Sequence, residues 1–184
     1  MTRIFDFLFS FFGLVILSPI LLVLLIIGYF DTGSPIFRQE RVGKGKQPFR
    51  LMKFRSMHVN TQSVATHLAS VSSITPFGSF LRKSKLDELP QLWNVLVGDM
   101  SLVGPRPNLY NQEELIMERS SRAVYSLRPG ITGLAQIQKI DMSTPQLLAE
   151  TDAQMIENFN TVVYFKYIFL TVFGNGFGDR IKKK

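Results

Sequence analysis

From Phe7 to Phe30 the chain is uncharged and apolar, broken only by Ser10, Gly13, Ser18, Pro19 and Gly28. At ~1.5 Å of rise per residue, such a run makes a helix of ~36 Å, enough to match a hydrocarbon core of ~30 Å. A secretory leader is disfavoured, because its apolar region should run only ~7 to 15 residues and end in a small-x-small site. Ser18-Pro19 divides the run at its midpoint. Proline there cannot donate to the Val15 carbonyl, so a kink is expected, and the Ser18 hydroxyl can bond back to the preceding turn. The pattern alone leaves two placements open: a span, and a re-entrant hairpin.

After the turn-rich Asp31–Pro35, Ile36-Phe37-Arg38 reads as a short strand and Gly43-Lys44-Gly45-Lys46 as a solvated hairpin turn. The turn lacks the spacing and the Ser/Thr of a phosphate loop. Phe49 to Met57 alternates as a strand and places Lys53 and Arg55 on one face. His58 to Thr75 is polar and reads as a linker or surface loop. Ser79 to Val97 has helical spacing in Phe80, Leu81, Leu86, Leu89, Leu92, Trp93 and Leu96, with Pro90 starting or kinking its second half. Asn111 to Leu127 reads as an amphipathic helix. Thr161 to Phe173 contains Lys166 and is too short to cross a bilayer, so it is a core helix or one lying in the headgroup zone. Gly174 to Lys184 ends in a basic run suited to anionic lipid.

Composition changes the picture in three ways. With Cys 0 and His 2, thiolate metal sites, disulfides, cysteine nucleophiles and a three-histidine metal site are excluded. His58 and His67 have no partner at metal-ligand spacing. Lys+Arg 21 against Asp+Glu 14 gives +7, which points to anionic partners: nucleic acid, phosphorylated substrates or an acidic membrane surface. Arg38, Arg41, Lys44, Lys46, Arg50, Lys53 and Arg55 follow the apolar run against the single acid Glu40, which puts that flank in the cytoplasm. Arg3 and Asp6 at the other end nearly cancel.

The densest chemistry lies in Arg82-Lys83-Ser84-Lys85-Leu86-Asp87-Glu88-Leu89-Pro90-Gln91. Adjacent carboxylates beside three cations suit a magnesium ion held with a phosphate, and an aspartate can attack phosphorus. The ordinary alternative is an exposed helix face with surface ion pairs. Gly104-Pro105-Arg106-Pro107 fixes a rigid backbone around one arginine, and Arg128-Pro129-Gly130-Ile131-Thr132-Gly133 repeats the arrangement. Guanidinium groups held this way suit bidentate phosphate recognition.

Taken in order, Ser18-Pro19, Lys53-Phe54-Arg55-Ser56-Met57, Leu86-Asp87-Glu88-Leu89-Pro90-Gln91, Asn94 through Gly98-Asp99-Met100-Ser101, Gly104-Pro105-Arg106-Pro107 and Arg128 through Gln136 resemble the bacterial sugar transferase family, the small monotopic phosphoglycosyl transferases. The resemblance covers nearly the whole chain and looks like the minimal catalytic form. It implies an α+β, mainly helical fold: a re-entrant helix-break-helix anchor over 1–30, kinked at Ser18 and Pro19, then a compact interfacial catalytic domain over 31–184 with a small β-hairpin and amphipathic helices. It implies transfer of a sugar 1-phosphate from a UDP-sugar to polyprenyl (undecaprenyl) phosphate, releasing UMP and initiating surface glycoconjugate synthesis. Asp87 would be the nucleophile and a ligand of Mg2+, Glu88 its partner, and Lys53, Arg55, Arg82, Arg106 and Arg128 the phosphate-binding groups, with Asp152 and Gln136 as additional candidates. The expected partners are the UDP-sugar, the polyprenyl phosphate and inner-membrane lipid, with a homo-oligomer open and no nucleic acid, and the expected location is the cytoplasmic face of the bacterial inner membrane. Two departures stand out: Val71-Ser72-Ser73-Ile74-Thr75, where family members often carry Asp-Pro-Arg-Ile-Thr, and Asp152-Ala153-Gln154-Met155, where Asp-x-x-Tyr is usual. A non-enzymatic anionic-lipid binder and a lipid-phosphate phosphatase are the rival readings.

Overall fold

The computed structural model describes residues 2–59, 61 and 73–174. His67, most of the expected linker, Val71-Ser72 and the basic tail beyond Gly174 lie outside the described residues. The elements in chain order are α1 (Thr2–Thr32), β1 (Ile36–Val42), β2 (Pro48–Phe54), α2 (Pro76–Ser84), α3 (Gln91–Val97), β3 (Ser101–Val103), α4 (Glu113–Ser121), β4 (Gly130–Thr132), α5 (Leu134–Ile137), α6 (Pro145–Glu157) and α7 (Thr161–Val172). The chain is mainly helical, with a small hairpin and a long apolar N-terminal helix.

Among the described residues α1 is the helix long and apolar enough to cross a membrane. It runs as one helix through Pro19, without the separate halves expected of a helix-break-helix. The local reason is that Ser18 Oγ donates to the Val15 carbonyl at 2.7 Å, satisfying the group that Pro19 leaves without its helical partner. One stripe of α1 faces the rest of the protein. At its start Arg3 and Asp6 bond to α3 and β3; at its end Leu24 packs with Phe54 and Leu81, and Gly28 lies against Pro35 and Phe77. The opposite stripe exposes Phe12, Ile16, Val23, Ile26 and Phe30. Both ends of the helix are therefore fixed to the same body.

The expected hairpin forms, with β1 antiparallel to β2 from Ile36↔Phe54 to Val42↔Pro48 around the Gly43–Lys46 turn. The single helix expected over Ser79–Val97 is instead two helices. Lys85 adopts a left-handed conformation (φ 59°) that closes α2, a 3-10 turn covers Leu86–Glu88, and Pro90 caps α3. The apolar positions have helical spacing on both sides of the break, so periodicity could not show it. The helix expected over Asn111–Leu127 is likewise shorter, ending before Ala123 (φ 53°). α7 matches its expected range closely.

A second, parallel pair joins β3 to β4, with Ser101↔Gly130 and Val103↔Thr132. Here the two arginine-proline motifs cross. Gly104 N donates to Thr132 O at 2.8 Å and Gly130 N to Pro105 O at 2.9 Å, and a Cβ on either glycine would collide with the other's backbone.

At Gly78 in α2 a Cβ would strike the Ser56 carbonyl oxygen, where the chain leaving β2 passes under the helix. Gly78→Ala is expected to lower stability by ~2 kcal/mol or more, because backbone would have to move to admit the methyl group. Urea unfolding in detergent measures this, and an unchanged midpoint would show that the crossing is not tightly packed.

Candidate active site

Asp87 and Glu88 occupy the 3-10 turn between α2 and α3, aimed by the left-handed Lys85 before it and anchored by Leu86, which packs on the Leu24–Phe54–Leu81 cluster. The two residues are only 5% and 9% exposed, so the reading of an exposed helix face does not hold. Adjacent carboxylates this far from water need counter-charge or hydrogen bonds. Glu88 Oε1 receives Arg106 at 2.7 Å and Lys53 at 3.5 Å. Three separate segments thus converge: the turn carrying the dyad, strand β2, and the loop after β3.

The backbone of that loop is gripped from behind. Arg119 on α4 donates through NH1 to the Arg106 carbonyl (2.8 Å) and to Asn108 Oδ1 (2.9 Å), and through Nε and NH2 to Asp152 Oδ2 on α6 (3.0 and 2.7 Å). The Arg119–Asp152 pair is 1% exposed on both sides. Burial pushes the Asp152 carboxyl up from the usual carboxylate range, and the guanidinium pulls against that shift. Tyr125 also donates to Asn108 Oδ1 at 3.0 Å, and burial raises its phenol. From the hairpin, Arg41 donates to Pro107 O at 3.2 Å and Val42 N to Asn108 O at 3.0 Å. With both main-chain ends of the loop held, the Arg106 side chain is directed at Glu88.

The other expected residues divide. Arg82 on α2 donates Nε to Ser56 Oγ at 2.7 Å, and its NH1 is buried without a hydrogen-bond partner. Strand β2 ends at Phe54, so Arg55 leaves the face of Lys53. Its Nε donates to Ser34 O at 2.8 Å and its guanidinium lies 5.4 Å over the Phe37 ring, bracing the exit from α1 rather than joining the dyad's cations. Arg128 donates Nε to Gly98 O at 2.8 Å, closing the turn after α3. Gln136 is buried on α5, and neither its amide nitrogen nor its oxygen has a partner. Asp152 touches Arg119, so it acts on Arg106 through a second side chain. Ser18 and Pro19 are exposed on α1.

Sequence reading assigned no site role to Arg41, Asn108, Arg119 or Tyr125. Arg119 looks like any charge on an amphipathic helix, and nothing local marks its partner 33 residues away. A cleft beside the loop is walled by Gly43, Pro105, Arg106, Tyr125 and Pro129.

Among the described residues no group of three Asp, Glu or His side chains gathers as a preformed metal cage. The donor chemistry at Asp87 and Glu88 nevertheless fits magnesium, which takes hard carboxylate oxygens one or two at a time and completes its shell with phosphate and water.

The family pattern described as bacterial sugar transferase matches residues 1–176. The chain is 38% identical over 171 residues to the uncharacterized sugar transferase EpsL of Bacillus subtilis, covering 92% of this chain and 84% of that protein. It is 39% identical over 181 residues to the UDP-glucose:undecaprenyl-phosphate glucose-1-phosphate transferase of Klebsiella pneumoniae, covering 93% of this chain but 39% of that protein. Against the UDP-N-acetylgalactosamine-undecaprenyl-phosphate N-acetylgalactosaminephosphotransferase of Aeromonas hydrophila it is 34% identical over 177 residues, 89% of this chain and 41% of that one. The match thus spans most of a short relative and about two-fifths of two longer ones. A match that runs from the apolar helix through the dyad, both arginine-proline motifs and α7 leaves one conclusion: the chain belongs to the bacterial sugar transferase family.

Proposed function

We propose that this protein is a phosphoglycosyl transferase that moves a sugar 1-phosphate from a UDP-sugar to undecaprenyl phosphate and releases UMP. The observation that carries the reading is the buried Asp87–Glu88 pair whose Glu88 oxygen meets Arg106 and Lys53. The names of the Klebsiella and Aeromonas relatives, which pair a UDP-sugar with undecaprenyl phosphate, agree with it.

In the proposed first half-reaction an Asp87 carboxylate oxygen attacks the sugar-linked phosphorus. A new carboxylate oxygen–phosphorus bond forms, the bond from that phosphorus to the bridging oxygen breaks, and UMP departs with the bridging oxygen. In the second, a phosphate oxygen of undecaprenyl phosphate attacks the same phosphorus, displaces Asp87 and leaves a lipid-linked sugar diphosphate. Glu88 keeps Arg106 and Lys53 extended toward the reacting phosphates, so their stabilisation is in place before charge develops. Arg82, whose NH1 is already out of water and unpaired, supplies a further donor. Asp87 would hold Mg2+, with Glu88 beside it; the ion would neutralise phosphate charge that otherwise repels the attacking carboxylate. Arg55, bonded to Ser34, and Arg128, bonded to Gly98, serve this reading as framework.

The same fold supports a proposed membrane placement. A helix perpendicular to the bilayer would carry Arg3 and Asp6 ~30 Å away from a domain lying on one face. Their bonds to α3 and β3 favour instead a helix that enters one leaflet with both ends on the cytoplasmic side, where the basic Arg38–Arg55 flank also belongs. A lipid phosphate confined to that interface then meets the dyad at its own depth, a gain in proximity.

Asp87→Asn is expected to abolish UMP release from a UDP-sugar while membrane association persists; normal turnover would remove Asp87 as nucleophile, and inorganic phosphate as the product would favour a lipid-phosphate phosphatase. Asp152→Ala leaves Arg119 buried without its counter-charge, so kcat should fall ~10-fold or more, whereas Asp152→Asn, which keeps an acceptor, should lose less. Equal losses in the two variants would refute a role through hydrogen bonding. Tags at both chain ends should be protected from external protease in intact cells, and cleavage of either tag would overturn the re-entrant placement.

A further inference from the structure

Before its apolar run, α1 carries Arg3, which is half-buried, and Asp6, which is buried, and both bond to the rest of the protein. Asp6 is 2% exposed and accepts hydrogen bonds from the Ser101 hydroxyl (3.0 Å), the Leu102 amide (2.9 Å) and the Tyr164 hydroxyl (2.9 Å). Ser10 Oγ, one turn on, closes back on the Asp6 carbonyl at 2.6 Å. Arg3 donates to the carbonyls of Val95 and Leu96, the latter at 2.8 Å, in the last turn of α3. A buried carboxylate is costly unless it is hydrogen-bonded, and three donors from two elements converge on its Oδ1. Burial and the neighbouring Asp6 push the Tyr164 phenol up, so it remains a donor across the working pH range. The aromatic side chains beside this knot, Phe5 and Phe165, meet edge-on with centroids 5.0 Å apart and tie α7 to the same end of α1.

The elements gripped here are the two that frame the candidate active site. α3 begins three residues after Glu88, and β3 ends three residues before Arg106. We propose that Arg3 and Asp6 are positioning residues of the transfer site: by holding α3 and β3 against one helical turn, they set the spacing at which Arg106 reaches Glu88. The first turn of the membrane helix is then part of the catalytic framework, and α1 does more than hold the protein at the bilayer. A side chain held at the right distance stabilises a transition state better than one free to drift, and displacement by ~1 Å can cost ~100-fold in rate. The proposal rests on the reading of Asp87, Glu88 and Arg106 as the transfer site.

The test uses the full chain in nanodiscs of phosphatidylethanolamine and phosphatidylglycerol. Asp6→Ala, Asp6→Asn and Tyr164→Phe are compared with the unaltered protein for retention in alkali-washed membranes, for hydrogen exchange across residues 101–108, and for kcat and KM of UMP release. Asp6→Ala is expected to stay in the membrane, to exchange faster across 101–108, and to lose about tenfold or more in kcat with KM for the UDP-sugar changed less than about threefold. Asp6→Asn, which keeps an acceptor for the Leu102 amide, should recover most of that loss, and Tyr164→Phe should show a smaller version of the same split. Unchanged exchange across 101–108, or faster exchange with unchanged kcat, would overturn the proposal. So would a loss of turnover that appears only when the protein leaves the membrane, since α1 would then act as an anchor alone. Absence of UMP release by the unaltered protein with every UDP-sugar tried would instead sink the transfer reading, while the exchange arm would still decide whether Asp6 fixes the 101–108 segment.

Discussion

The cost of keeping two neighbouring carboxylates out of water organises this protein. Asp87 and Glu88 lie on a single 3-10 turn with little solvent to screen them, and Glu88 is met by Arg106 and Lys53. A buried pair of this kind is weak as a stabiliser, because desolvation of both partners offsets most of their attraction. Its consequence is geometric. Lys53 must come from the hairpin, Arg106 from the loop after β3, and the dyad from the break between α2 and α3, so satisfying one oxygen requires three segments to be held in register.

Each segment has its own brace. The hairpin fixes Lys53 by its ladder, ending at Ile36↔Phe54. The dyad's turn is seated by Leu86 in the apolar cluster that includes Leu24 of α1. The Arg106 loop is clamped by Arg119 and Asp152 behind it, by Arg41 beside it, and by the Gly104–Gly130 crossing at its root. The charges divide accordingly. Several of the 21 Lys and Arg side chains are committed to internal carboxylates and main-chain carbonyls, so fewer cations face phosphate or lipid than the count suggests.

Legibility in the sequence followed the range of the interactions. α1, α7 and the hairpin were readable because apolar runs, aromatic density and a Gly-Lys-Gly-Lys turn are local signals, and local sterics or burial decide them. The break at Lys85 was not, because left-handed lysine has no sequence signature and the apolar spacing continues past it. The three-residue strands β3 and β4 are too short to show alternation, and they pair in parallel only because Gly104 and Gly130 let their backbones touch. Arg55 was grouped with Lys53 by strand periodicity, but β2 stops at Phe54 and the guanidinium turns to Ser34 and Phe37 instead.

By itself, then, the sequence determined the inventory: an apolar helix with proline at its middle, an acidic pair among cations, and two arginines locked between prolines and glycines. Only the tertiary structure decided which of those charges meet. It chose Lys53 and Arg106 over Arg55 for Glu88, gave Asp152 to Arg119, and turned Arg3 and Asp6 from cancelling charges at a helix end into bonds to α3, β3 and α7. The reason is that residue type and period are properties of a few neighbouring positions. The neutralisation of a buried charge depends on segments that can be as many as 158 residues apart, as Asp6 and Tyr164 are, and only the packed fold brings these together.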